Sequence, residues 1–230
     1  MVNIFTYFKS APKFEVWHSH PNQPSQVLIT SGMHGDELSS IEAAKLLIDT
    51  YNGNIPISII HTLNLAGFKK GLSYNPNDNK DPIYIYPGSR MGSSTSRLIH
   101  ALQQELRGKN LWIDLHGGGK EEHLNPFVWA AGFYSFLPYL KARIIIDQTF
   151  KRDIPYVILE SGELGKIDEQ SVNLHLSWVK NIIDNLDKPR IESWQPTYNQ
   201  VVYERRENQN IHKENMLWYS PDLYVSGKIT

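Results

Sequence analysis

Apolar and polar positions follow two different periods along residues 26–186, and together these periods predict strands followed by helices. Five short apolar runs have the length and composition of buried strands. They cover residues 26–31, 57–63, 111–115, 127–131 and 155–160. Apolar residues recur at helical spacing over residues 37–51, 94–106 and 172–186. This order predicts an α/β fold with a mixed, mainly parallel sheet flanked by helices.

The pattern changes after Leu186. Pro189, Pro196 and the aromatic-rich stretch 194–224 favour short strands over helices. We therefore predict a catalytic domain over residues 1–188 and a short, β-rich C-terminal appendage over residues 189–230. A truncated β-domain is one interpretation of that appendage.

Composition restricts the function classes. The chain has 230 residues, of which 40% are hydrophobic and 20% charged, and its formal net charge is -1. A balance of this kind is typical of a globular domain and gives no basic surface for nucleic acid or for an anionic membrane. We expect a small-molecule partner. With neither a secretory leader nor an apolar run of membrane-spanning length in the sequence, we also expect a cytoplasmic location.

Candidate metal ligands lie where predicted strands end. His34 and Glu37 follow the run 26–31 in the sequence His-Gly-Asp-Glu, and His116 follows the run 111–115. The chain has no cysteine, so a metal site must use imidazole and carboxylate groups, which zinc accepts. Three protein ligands leave zinc an open position at which a water can be activated for hydrolysis. The pattern predicts a Zn2+ site made of His34, Glu37 and His116.

Metal-assisted hydrolysis also needs a base that moves protons. Glu160 ends the predicted strand 155–160, where its carboxylate can meet the ligands of neighbouring strand ends. Glu163 lies three residues further on and competes for the role. We predict that Glu160 is the catalytic base.

Three segments carry a resemblance to a known family. His34-Gly35-Asp36-Glu37, Asp114-Leu115-His116 and Val157-Ile158-Leu159-Glu160 resemble the zinc carboxypeptidase superfamily in order and separation. The likeness is greatest to its succinylglutamate desuccinylase and aspartoacylase branch and to the murein-peptide amidases. It implies a carboxypeptidase-like fold, zinc bound by His34, Glu37 and His116, and Glu160 as the base.

The segment Asp78-Asn79-Lys80-Asp81 resembles the family's Asp-x-Asn-Arg segment, which implies that Asn79 and Lys80 bind substrate. Lys80 stands where the family has arginine, and a lysine lacks the bidentate fork that grips a carboxylate. An arginine expected a few residues after Phe68 is also absent. Arg90, Arg97 and Arg143 are candidates to replace these cations.

Three functions stay open. The favoured one is zinc-dependent hydrolysis of an amide bond in an N-acyl amino acid or a related small substrate. The second is action on short peptides as a metallocarboxypeptidase or murein-peptide amidase. The third, from another class, is a non-catalytic relative that binds zinc or a ligand without turnover.

Overall fold

The computed structural model describes residues 14–130, 135–142, 145–147 and 152–188, and seven strands within these ranges form one sheet. In chain order the strands are β1 (Trp17–His18), β2 (Val27–Ser31), β3 (Ile57–Ile60), β4 (Leu111–His116), β5 (Phe127–Ala130), β6 (Ile145–Asp147) and β7 (Tyr156–Glu160). Across the sheet they follow the order β1-β3-β2-β4-β7-β5-β6. The helices are α1 (Leu38–Thr50), α2 (Leu65–Lys70), α3 (Ser94–Leu106) and α4 (Glu169–Asp184), with short 3-10 helices at Pro82–Ile85 and Leu137–Tyr139.

The sheet is mixed and its centre is parallel. Strands β3, β2, β4 and β7 run in one direction, whereas β1 and β5 are antiparallel to their neighbours β3 and β7. Strand β6 pairs with β5 in parallel. The α/β class and the mixed, mainly parallel sheet predicted from the sequence are confirmed.

Two hydrophobic layers cover the sheet, one on each face. Leu111, Ile113 and Leu115 of β4 pack with residues of α1 and α4 on one face. Trp112 of the same strand packs on the other face with residues of α3. Because side chains alternate along a strand, Asp114 and His116 share the face of Trp112.

The order of the strands creates a crevice. After β2 the chain moves to β3 on one side, and it later returns to place β4 on the other side of β2. In open α/β sheets such a switch point, at the carboxyl ends of the strands, is where ligands bind. His116 and Glu160 end β4 and β7 at this edge, and His34 follows the end of β2.

The long predicted elements lie where the apolar pattern places them, but five short ones were not predicted: β1, α2, β6 and the two 3-10 helices. Strand β1, helix α2 and strand β6 contain two, six and three residues, too few to show a period. The β-rich appendage predicted for residues 189–230 lies outside the described residues. Among the residues described, no helix has the length and apolar character needed to cross a membrane.

Candidate functional site

His34 and Glu37 lie in the turn that joins β2 to α1. The backbone N–H of Gly35 donates to the carbonyl of Leu72 at 3.0 Å, and a Cβ atom at Gly35 would lie 2.0 Å from the backbone nitrogen of Phe68. Since no side chain fits in that space, a glycine is required there. The glycine lets the turn pack directly onto α2, and this contact fixes the turn over the edge of the sheet.

His34, Glu37 and His116 converge at this edge. His34 Nδ1 lies 2.7 Å from Glu37 Oε1, and His116 Nδ1 lies 3.1 Å from Glu37 Oε2. One potential ligand atom from each residue lies within 4.8 Å of the others. The imidazoles meet edge to face, with ring centroids 4.9 Å apart. The three residues singled out from the sequence therefore form one cluster.

The donor set fits a zinc ion. Glu37 Oε2 is buried and has no hydrogen-bond partner among the described residues, because the approach of His116 Nδ1 lacks hydrogen-bond geometry. A buried carboxylate oxygen without a partner is costly, and a cation in contact with it removes that cost. Two imidazole nitrogens and one carboxylate are also a ligand set found in catalytic zinc sites.

Two further carboxylates contact the other nitrogen of each imidazole. Asp81 Oδ1 lies 3.1 Å from His34 Nε2, and Asp114 Oδ2 lies 3.1 Å from His116 Nε2. Metal-binding histidines commonly make such a contact, which fixes the ring and directs the free nitrogen to the ion. Neither aspartate was assigned a role from the sequence. The signal for Asp114 was present, because residues two apart on a strand share a face.

The charged groups of the cluster shift one another's pKa values. Burial lowers the pKa of His34 and His116, but the charge of Glu37 and of the adjacent aspartates outweighs burial and raises both well above 6.5. Burial raises the pKa of Glu37, yet the two imidazoles lower it to about 2. The protons on these imidazoles compete with a metal ion for the same nitrogens, so metal binding here releases protons.

Glu160 lies beside the cluster. It pairs with His116 in the register of β4 and β7, and its side chain is partly exposed. Burial raises the pKa of Glu160 to about 8, with a further rise from Glu37 and an opposing effect from the imidazoles. A carboxyl group whose pKa lies near neutrality is suited to both accepting and returning a proton.

Two other glutamates near the site, Glu163 and Glu122, have surroundings that differ from those of Glu160. Glu163, the competing candidate, is exposed and pairs with exposed His123 at 2.8 Å. Glu122 was not singled out from the sequence, and its Oε2 accepts a hydrogen bond from Gly119 N at 2.7 Å. Burial, followed by Glu37, raises the pKa of Glu122. No sequence signal marks it, because its position depends on how the loop after β4 folds back.

The predicted substrate residues Asn79 and Lys80 are exposed and lie in the turn before Asp81. Asn79 adopts a left-handed backbone with φ of 53°, and Lys80 forms a bridge with Asn75. Of this segment, Asp81 contacts the cluster. Among the arginines considered as replacements, Arg97 donates to the carbonyl of Gly92 at 2.7 Å, while Arg143 lies outside the described residues.

Residues 23–134 match the succinylglutamate desuccinylase/aspartoacylase catalytic domain. The match includes His34, Glu37 and His116 but ends before Glu160. No curated protein matches the chain.

Solved structures share the fold. A succinylglutamate desuccinylase/aspartoacylase from Rhodobacter sphaeroides is 20% identical with a TM-score of 0.64, covering 71% of this chain and 56% of that one. A succinylglutamate desuccinylase from Silicibacter is 18% identical with a TM-score of 0.67, covering 78% of this chain and 62% of that one. These folds and the family match over residues 23–134 agree with the resemblance to this branch.

A third solved structure, the product-bound ectoine utilization protein EutE (DoeB) from Ruegeria pomeroyi, is 18% identical with a TM-score of 0.64, covering 78% of this chain and 69% of that one. At these identities the likeness shows a shared fold. The chain spans 56% and 62% of the length of the first two structures, so part of each has no counterpart here.

Proposed function

We propose that the protein is a zinc-dependent hydrolase that cleaves an amide bond in an N-acyl amino acid or a related small substrate. The observation that carries this proposal is the convergence of His34, Glu37 and His116 at the carboxyl edge of the sheet, with Glu160 beside them. The family match over residues 23–134 supports it, since that match contains the three ligands.

Zinc bound at this cluster supplies Lewis-acid chemistry, which polarises a carbonyl and makes water more acidic. Glu160 takes a proton from the attacking water and returns it to the departing amine. Its carboxylate form is needed for the first step, and a nearby cation favours that form. Asp81 and Asp114 keep the imidazoles oriented during turnover through their contacts with Nε2.

Substrate binding by Asn79 and Lys80 is part of the same proposal. Both are exposed in the turn that leads to Asp81, close in sequence to a residue of the site. A lysine attracts a carboxylate as a point charge. Lys80→Ala should therefore raise KM and leave kcat unchanged, because a contact made equally in the ground and transition states affects binding alone. An unchanged KM would remove Lys80 from the substrate site.

Two solved structures of similar fold support a small substrate. EutE (DoeB) holds its product, and the cell shape determinant protein Csd4 from Helicobacter pylori holds a tripeptide. N-acyl amino acids and short peptides are the two substrate classes to separate. We keep a cytoplasmic setting as part of the proposal.

The test is a hydrolysis panel run with and without a chelator. N-acetyl and N-succinyl amino acids are compared with short peptides and muropeptides. Turnover of acyl amino acids that the chelator abolishes and zinc restores is the expected result. Preferred turnover of peptides would favour the amidase alternative, and a zinc-loaded protein inert on the whole panel would favour a non-catalytic relative.

Glu160→Gln tests the base. The variant should keep zinc and lose turnover by a factor on the order of 100 or more, because an amide accepts no proton. Glu163→Gln is the matched control, since it removes a carboxylate three residues away. Unchanged hydrolysis by Glu160→Gln would reject the assignment.

A further inference from the structure

A buried polar network lies behind His116. Asp114 is fully buried, and its Oδ1 accepts a hydrogen bond from Thr30 Oγ1 at 2.6 Å. Its Oδ2 accepts one from the Tyr156 hydroxyl at 2.9 Å and contacts His116 Nε2 at 3.1 Å. Trp112 Nε1 donates to Thr30 Oγ1 at 2.6 Å. The carboxylate that orients His116 is therefore held by side chains of β2 and β7.

Arg152 extends this network away from the metal cluster. Its guanidinium lies over three rings, with the Cζ atom 4.6 Å from the centroid of Tyr86, 5.0 Å from that of Tyr156 and 5.8 Å from that of Trp112. It therefore lies over the ring whose hydroxyl donates to Asp114. A cation over aromatic faces is stabilised by their quadrupoles, most strongly where water is excluded.

The same guanidinium also contacts the segment that carries Asp81, the aspartate beside His34. Arg152 Nη2 donates to the carbonyl of Ile83 at 3.3 Å. The backbone N–H of Ile83 donates at 3.0 Å to Asp81 Oδ1, which is the oxygen in contact with His34 Nε2. One side chain is thus linked through Tyr156 to Asp114 and through the 3-10 turn at Ile83 to Asp81.

We infer that Arg152 and Tyr156 are positioning residues for the metal centre, which fix both orienting aspartates and hence both imidazoles. The inference rests on the proposed function, because it needs a metal at His34, Glu37 and His116. Both residues act through the aspartates, which contact the imidazoles.

The chemistry of the hydroxyl explains why a tyrosine serves here. It gives its proton to Asp114 while Arg152 lies over its ring, so one neutral side chain contacts both charged groups. Hydrogen bonds to charged partners are stronger than those between neutral groups. Removing only this hydroxyl leaves the ring in place and deprives Asp114 Oδ2 of one donor.

The experiment measures the zinc dissociation constant by competition with a chromogenic chelator. Tyr156→Phe should weaken zinc binding by about 10-fold or more, in the range typical of residues that support metal ligands. Tyr51→Phe is the matched control: it removes a hydroxyl that donates to the carbonyl of Ile55 in a different part of the fold. That control should bind zinc as the parent protein does.

Arg152→Lys provides a second variant should Tyr156→Phe fold poorly. It keeps the positive charge but loses the planar fork, so it should weaken zinc binding and shift the visible absorption spectrum of the cobalt-substituted protein. Zinc affinity within twofold of the parent protein for both variants would overturn the inference while leaving the proposed function intact. A parent protein that binds no zinc would overturn both.

Discussion

The two halves of the candidate metal centre are built differently. His116 and Asp114 belong to a central strand and are almost fully buried, at 1% and 0% exposure. His34 and Asp81 lie in a turn and before a 3-10 helix, with 12% and 23% of their side chains exposed. The strand-borne half is fixed by the register of the sheet, whereas the loop-borne half depends on how two distant segments pack. We expect the first half to contribute to folding stability and metal binding, and the second mainly to metal binding.

Removing each imidazole is the strongest test of this contrast. His116→Ala and His34→Ala should both weaken zinc binding by more than about 100-fold, beyond the usual effect of outer residues. His116→Ala should also lower the free energy of unfolding by about 3–5 kcal/mol, because it removes the imidazole that pairs with buried Asp114 and Glu37. His34→Ala should cost about 1–3 kcal/mol. Chelator competition measures zinc affinity, and urea unfolding of the metal-free proteins measures stability. Equal losses of stability in the two variants would contradict the proposed difference between the halves.

The orienting aspartates give a milder form of the same test. Asp114→Asn should lower the free energy of unfolding by about 1.5–3 kcal/mol, since hydrogen bonds to its charge are lost in the core. Asp81→Asn, nearer to solvent, should cost about 1 kcal/mol or less. Both should weaken zinc binding by about 10- to 100-fold. If Asp81→Asn lost more stability than Asp114→Asn, the loop-borne half would be the one that contributes to folding stability.

Acid should also destabilise the buried strand ends beside the site, through His175. This residue of α4 is fully buried, and its Nε2 donates to the carbonyl of Ser161, directly after Glu160. Burial lowers the pKa of His175 to about 4 from an ordinary 6.5. The unfolded chain therefore takes up this proton first, so the contribution is complete above pH 6.5 and is lost as the pH falls towards 4.

The shift corresponds to about 3 kcal/mol of stability at most. Urea unfolding of the metal-free protein across pH 4 to 7 should show this loss. His175→Gln keeps a donor for the carbonyl of Ser161 and removes the titration, so its stability should depend less on pH in that window. An identical pH profile for the two proteins would exclude His175 as the cause.

The smallest effect is expected for Glu163 in the loop, compared with Glu160 at the end of a strand. Glu163→Gln removes an exposed pair with His123, and such pairs contribute at most about 1 kcal/mol. We expect hydrolysis within twofold of the parent protein, against the large loss from Glu160→Gln. A loss of turnover in Glu163→Gln with intact zinc binding would place the base in the loop instead.

Most of the long helices and strands could be predicted from local patterns of apolar residues. The helix at 94–106 was predicted at its observed bounds, because a full apolar stripe marks a helix that packs against a sheet. The position of His116 at a strand end followed in the same way from the apolar run before it. Short elements such as α2 were not predicted, because fewer than two helical turns give too few positions for a period.

What the sequence determined by itself was the class of fold and the kinds of groups that a metal would meet, because residue periodicity and ligand chemistry are local properties. Only the tertiary structure decided which carboxylate supports His34 and which side chains hold both aspartates. Asp81 reaches His34 across 47 positions of the chain, and Arg152 reaches Ile83 across 69. Contacts of this kind depend on how loops close over the sheet edge, and no local spacing in the sequence encodes that closure.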